Sequence, residues 1–175
     1  VESVLSQTWK EFEYIVVDGA STDGSVDYIR ENKDLLSYWV SEPDNGVYQA
    51  MNKGILQSNG EYLLFLNSGD CLVDKDVLNL VFSKPCIADI LCGKCNVVNS
   101  DGVIVWTSNP PENITFGFLY HQGLGHQSTF IKRSLFDKIG LYREDFKYNS
   151  DIDFWYKSII IQQCTTAALS IIVAN

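Results

Sequence analysis

Apolar residues in this chain fall into two rhythms. Short, near-continuous runs alternate with stretches of helical spacing. Glu13-Tyr-Ile-Val-Val17 is β-branched and aromatic, as a buried strand is. Leu36-Ser-Tyr-Trp-Val40 predicts a second strand. Tyr62-Leu-Leu-Phe-Leu66 predicts a third, of the kind buried on both faces of a parallel sheet. Between them, Thr22 or Asp23 is placed to cap a helix running to about Asn32. Val47, Ala50, Met51, Gly54 and Ile55 recur at i, i+3, i+4, i+7 and i+8, which predicts a helix over 47–57, stopped at Asn59-Gly60. Val1 to Trp9 reads as the end of a further helix.

In the second half the pattern predicts a helix over 73–82 and strands over 88–98 and 103–106, joined at Asn99-Ser-Asp-Gly102. An irregular stretch over 110–125 follows. After it come a strand over 128–131, a helix over 134–139, a helix over 151–162 capped by Asn149 or Ser150, and a last strand over 165–173. Strand and helix alternate, and strands end in polar loops that carry Asp18 and Asp70. That is the pattern of an α/β sheet, in which ligands bind beyond the carboxyl ends of the strands.

The chain has 175 residues, 46% of them hydrophobic, enough for one core and cramped for two domains. Its net charge of −9 argues against binding nucleic acid through its phosphates. No apolar run is long enough to cross a bilayer, and no signal-peptide pattern is visible. The chain opens on Val1 rather than Met, so residues are expected before it. The five cysteines are irregularly spaced, unlike a secreted disulfide framework. Cys92-Gly-Lys-Cys95 is a lone CxxC inside an apolar strand pattern. No second pair completes a zinc shell, so buried, reduced thiols are expected.

Several carboxylates stand where chemistry is possible. Asp18 opens a Gly-containing loop after a strand, where it either binds a ligand or shapes a turn. Asp70 either ligates a divalent metal or caps the next helix, although Asp74 or Asp76 can serve as that cap. Asp151 and Asp153 open a helix. Two residues apart, they point in different directions, so only one can face a pocket. The dipole at the helix start favours the ionised acid and makes it a weaker base, while Phe154 and Trp155 act the other way by excluding water. His126 either binds a sugar hydroxyl or phosphate, or is structural. His121 and His126 are too few for a metal site.

Taken in order, Ser3–Trp9, Phe12–Gly24, Asp44–Gly54, Gly60–Asp70 and Lys147–Trp155 resemble the family 2 glycosyltransferases, nearest the bacterial branch that builds capsule, exopolysaccharide and lipopolysaccharide. The resemblance implies one glycosyltransferase domain over 1–175 with the GT-A nucleotide-diphospho-sugar transferase fold. That fold has a mostly parallel central sheet with helices on both faces, and its first strand would precede Val1. It implies an inverting transfer from a nucleotide-diphosphate sugar, a UDP-sugar favoured, to a glycan or lipid-linked glycan acceptor. Asp151 matches the catalytic base, with Asp153 in reserve. Asp18, Ser21, Asn52, Lys53, Asn67 and Ser68 fall in segments that carry the resemblance and are expected to bind the nucleotide sugar, as is His126 from its place before a strand, and Asp70 matches the ligand of a divalent cation, Mn or Mg. A cytoplasmic enzyme in peripheral contact with the inner face of the membrane is implied.

Three positions depart from the family pattern. Gly19 stands where a second acid often contacts the base. Asn67-Ser-Gly-Asp70 keeps one acid of an Asp-x-Asp motif. Lys157 stands where Arg is frequent. Two other classes remain open on the sequence. A non-catalytic nucleotide-sugar or glycan binding module would keep the fold and lose the base, and a CxxC redox protein would use Cys92 and Cys95.

Overall fold

The computed structural model of the protein describes residues 1–175. It opens on a short helix, α1 (Glu2–Leu5). Next come β1 (Ile15–Asp18), α2 (Ser25–Glu31), a 3-10 turn at Lys33–Leu35, β2 (Tyr38–Ser41), α3 (Val47–Gln57) and β3 (Tyr62–Leu63). The rest comprises α4 (Val77–Phe82), β4 (Ile90–Val98), β5 (Ile104–Thr107), α5 (Phe116–His121), a 3-10 turn at His126–Ser128, β6 (Thr129–Lys132), α6 (Ser134–Ile139), α7 (Ser150–Trp155) and β7 (Thr166–Ala174). The helical pattern expected over 151–162 is present, but after Trp155 it widens into a π-type turn, Tyr156–Ile161.

The sheet is mixed, which corrects the expectation of a mostly parallel one. β1 and β2 pair in parallel as a separate two-stranded sheet. In the larger sheet β6 lies antiparallel between β3 and β4, β5 is antiparallel to β4, and only β7 runs parallel to β4. The physical reason is that a continuous apolar run reports burial on both faces and carries no information on the direction of its neighbour. The burial itself is there. Ile90, Cys92 and Ile131 face a core shared with α3, α5, α6 and α7. Leu91, Cys95, Phe130 and Val173 face a second core shared with α1 and α4. Helices thus cover both faces, as expected.

Other differences are local. The run Tyr62–Leu66 keeps its alternation, Leu63 and Phe65 toward the first core and Tyr62, Leu64 and Leu66 toward the second, but only Tyr62 and Leu63 pair with a strand. The stretch read as irregular contains α5, capped by the Thr115 hydroxyl, which accepts from Phe118 N at 3.2 Å. Residues 73–76 precede α4 instead of belonging to it. Gly24, not Thr22 or Asp23, is the N-cap of α2.

The CxxC lies within β4. Three residues apart on a strand, its thiols point to opposite faces, Cys92 into the first core and Cys95 into the second. Burial pushes the Cys92 thiol up to about 12 and raises that of Cys95. Neither is a thiolate near neutrality, so the redox class loses its chemistry.

Candidate active site

Three segments distant in sequence meet at His126, in the 3-10 turn before β6. Its Nδ1 is 3.8 Å from Asp151 Oδ2, its Nε2 is 3.8 Å from Asp70 Oδ2, and Nε2 is 2.9 Å from the side-chain amide of Asn67. All are half-buried.

The local chain explains how each arrives. Asp70 ends a tight turn: its Oδ2 accepts from Asn67 N at 2.8 Å, and its own N–H donates to Asn67 O at 3.0 Å. Gly69, at φ 100°, occupies the left-handed conformation this turn requires. Just beyond it, Cys71 N donates to Asn175 O and Val73 N to Val173 O, so the loop is tied to the end of β7. Asp151 sits in the first turn of α7, which is anchored by Phe154 and Trp155 in the first core. From α3, the Tyr48 hydroxyl donates to Asp151 Oδ1 at 2.9 Å. Asp153 points elsewhere and pairs with Lys157 at 2.6 Å, as a two-residue helical separation requires.

The electrostatics follow from these contacts. Burial acts to raise the Asp151 pKa, the direction expected from its aromatic neighbours. Hydrogen bonds from His126 and Tyr48 more than offset it, so the pKa is lowered and the acid is held ionised. Burial likewise disfavours the charged form of His126, but hydrogen bonds and charge from Asp151 and Asp70 win and raise it to about 9. Near neutrality an imidazolium lies between two carboxylates. Tyr48 is pushed up to about 12, mainly by burial and then by the charge of Asp151, so it stays a donor. The Tyr142 hydroxyl, also buried and raised by burial and by the Asp151 charge, has no hydrogen-bond partner.

For a divalent cation the structure offers one carboxylate, Asp70, with the Asn67 amide beside it. His126, protonated near neutrality, has no free lone pair and is not a ligand. No three His, Cys, Asp or Glu side chains gather into a metal-binding group, so a cation here would take most of its ligands from diphosphate oxygens and water.

The other sequence candidates lie in separate constellations. Asp18 is buried at the end of β1. Its Oδ2 accepts from Ser21 N at 3.0 Å and from the Ser41 hydroxyl at 2.7 Å. Burial opposes its charge, but these bonds prevail and lower its pKa. A cavity of about 330 Å³ lies against this loop, lined by Ala20, Ser21, Thr22, Arg30 and Ser41 among others. Ala20 holds a left-handed φ of 63° there, a strained conformation for a residue with a Cβ. No hydrogen bond or ion pair joins this loop to the His126 cluster. Asn52 is buried and bound to the Tyr142 backbone and the Glu144 side chain: its Nδ2 donates to Tyr142 O at 2.8 Å and to Glu144 Oε1 at 2.9 Å, and its Oδ1 accepts from Tyr142 N at 3.0 Å. Lys53 pairs with Glu42 at 2.8 Å. Ser68 is exposed at the tip of its loop. The sequence reading missed Tyr48 and Tyr142. Tyr48 lies in the Asp44–Gly54 motif, but one residue past Val47 on the helix, so the spacing used to read that helix does not mark it.

Comparison with known proteins gives this geometry a context. The chain is 32% identical over 172 residues to an uncharacterised glycosyltransferase of Mycobacterium tuberculosis strain H37Rv, covering 95% of this chain and 64% of that protein's length. Its fold is shared with Staphylococcus aureus TarS 1–349, solved in complex with UDP, at a TM-score of 0.75 and 22% identity over 99% of this chain and 54% of that one. It is shared also with the mannosyltransferase PcManGT of Pyrobaculum calidifontis, solved with GDP-Man and Mn²⁺, at a TM-score of 0.69 and 18% identity over 98% and 50% of the two chains. The Glycosyl transferase family 2 model matches residues 1–147, and the chain belongs to that family.

Proposed function

We propose that residues 1–175 form one glycosyltransferase domain. It performs an inverting transfer from a nucleotide-diphosphate sugar to a hydroxyl of a glycan or lipid-linked glycan, in the synthesis of a bacterial surface polysaccharide. The observation that carries this reading is the placement of Asp70 and Asp151 on opposite nitrogens of His126, each at 3.8 Å. One carboxylate stands where a diphosphate-bound cation would be held, the other where an acceptor proton would be taken. A UDP-sugar is the favoured donor, since the fold is shared with a UDP-binding protein.

In this reading Asp151 accepts the proton of the acceptor hydroxyl as its oxygen attacks the anomeric carbon, opposite the departing diphosphate. Tyr48 holds one Asp151 oxygen and leaves the other toward His126 and the substrate. Asp70, with the Asn67 amide, would hold Mn²⁺ or Mg²⁺, which would neutralise charge on the leaving diphosphate. The positive charge of His126 adds to that neutralisation. Asp18 ends β1, Ser21 and Ser68 lie in loops beyond strands, and Lys53 lies on α3; these side chains would contact the nucleotide, and Asn52 would fix the segment that leads to α7 through the Tyr142 backbone and the Glu144 side chain. Asp153 is a reserve for the base. No helix is long and apolar enough to cross a membrane; contact with a lipid-linked acceptor at the inner face of the membrane is peripheral in this reading.

Calorimetry with UDP-GlcNAc and GDP-mannose, with and without Mn²⁺, tests the reading. Binding of one donor, strengthened by Mn²⁺ and made metal-independent by Asp70→Ala, is expected. Equal affinity with and without metal would refute the role of Asp70. Donor binding with no turnover toward any saccharide acceptor would identify a binding module instead.

A further inference from the structure

The hairpin of β4 and β5 stands apart from both cores. Val97, Val98, Val103, Ile104, Val105 and Trp106 are between 40% and 61% exposed, and none of them belongs to either core. β5 is also the last strand of its sheet. It pairs with β4 at three positions and with no strand on its other side. Alternate N–H and C=O groups of such an edge strand point outward with no strand to take them. Proteins usually guard an edge of this kind with lysine or proline. Here a bulge at Val97/Val98 bends the hairpin, but no charged residue lies between Asp101 and Glu112, and the first proline, Pro110, comes after the strand.

Area and charge select the occupant. The six side chains present roughly 500–600 Å² per copy, as much as the largest apolar patches on monomeric proteins. Two such patches pressed together bury roughly 1,000–1,200 Å², the lower end of what a specific interface needs. A lipid surface fits less well. Asp101 at the hairpin tip and a net charge of −9 are repelled by anionic headgroups, and Lys94 is the one cation on the two strands. A second copy meets an uncharged strand with an uncharged strand. A two-fold axis at Val105 runs β5 antiparallel to its counterpart. It sets Ile104 against the partner's Trp106 and Trp106 against the partner's Ile104, a β-branched and aromatic pairing that is favourable across strands. It also carries the two Asp101 side chains to opposite ends. We propose that the protein forms a two-fold dimer through this hairpin, β5 against β5. Association here is independent of the donor chemistry at Asp70 and Asp151.

Sedimentation velocity over about 1–200 µM, the range suited to an interface at the small end of the specific class, tests the dimer. A mass of 19.7 kDa that rises toward twice that value with concentration is expected. Val105→Lys sets like charges opposite each other at the axis and is expected to weaken association at least about tenfold. Its Tm should stay near the native value, because the side chain is exposed. Hydrogen exchange locates the contact. Amides of residues 103–107 should exchange more slowly at high concentration in the native chain, and at one rate throughout in Val105→Lys. A monomer at every concentration overturns the proposal, whether phosphatidylcholine vesicles then take up the protein or the same amides prove covered by another part of the chain. A dimer as strong in a folded Val105→Lys, or one without slowed exchange over 103–107, overturns it as well.

Discussion

Asp151 is aimed and weakened by the same contacts. The hydrogen bonds from Tyr48 and His126 that fix its orientation also lower its pKa, so it trades base strength for position. General-base assistance by a positioned carboxylate contributes about 10²–10⁴-fold. Asp151→Asn keeps the shape and can still accept from Tyr48. It is expected to reduce transfer by that factor while donor affinity, read by calorimetry, stays near the native value. Asp153→Asn removes only the contact with Lys157 and is expected to change turnover less than about twofold, with a stability loss under about 1 kcal/mol, as for other partly exposed pairs. A dead Asp153→Asn beside an active Asp151→Asn would move the base by two residues. Tyr142 allows a stability test: its hydroxyl is buried without a partner, so Tyr142→Phe should be neutral or raise stability by about 1 kcal/mol in urea denaturation. A loss above 1 kcal/mol would show that the hydroxyl has a bound partner. The carboxylates of this site were legible because they stand at strand and helix ends, where a side chain is not committed to a core. Asn52 was reached by another route. Its place within a family motif suggested ligand contact, but it is 3% exposed and spends its amide on the backbone of Tyr142.

At the level of elements, α3 serves both the site and a neighbouring segment from one face. Its buried face carries Tyr48, Met51, Asn52 and Ile55. Tyr48 reaches α7, and Asn52 pins the 142–144 segment that leads toward it. Asn52→Ala leaves the N–H and C=O of Tyr142 without partners in a buried place. Each such group costs about 1–3 kcal/mol, so a loss of about 2–4 kcal/mol is expected in chemical denaturation. The slope of the transition should not change, since the fold is retained. A loss below 1 kcal/mol would mean that water replaces the amide. Helix α3 was legible from its spacing, and its bounds were found as expected. Helix α5 was not, because Phe116, Gly117 and Phe118 break the apolar period and its start depends on one hydroxyl cap at Thr115. Strand direction was not legible either. Tyr62–Leu66 announces burial on two faces, and both faces are buried, but the antiparallel placement of β6 beside β3 is decided by the route of a connection more than twenty residues away in sequence.

The molecule as a whole is two cores on either side of one sheet, and β4 is the wall between them. Its residues alternate between the cores, and its longest partner, β7, carries the strand end to which the Asp70 loop is tied. Gly93 sits at the centre of this wall, where the register between β4 and β7 shifts. A Cβ there would lie 2.4 Å from Val173 Cγ2 and 3.1 Å from Ser128 O. The first clash is with a fully buried branched side chain, the second with the turn that holds His126. Gly93→Ala should therefore strain both the core and the site. Overpacking of this kind costs about 1–3 kcal/mol, which in a chain of this size lowers Tm by roughly 2–12 °C. Val173→Ala alone should also destabilise, by opening a cavity. The two together should cost less than the sum of the single losses, because Val173→Ala removes the atom that Gly93→Ala strikes. Thermal denaturation of the four proteins measures this coupling. Strict additivity would mean that β4 and β7 do not share this contact, and that the wall between the cores is more compliant than the close approach at Gly93 indicates.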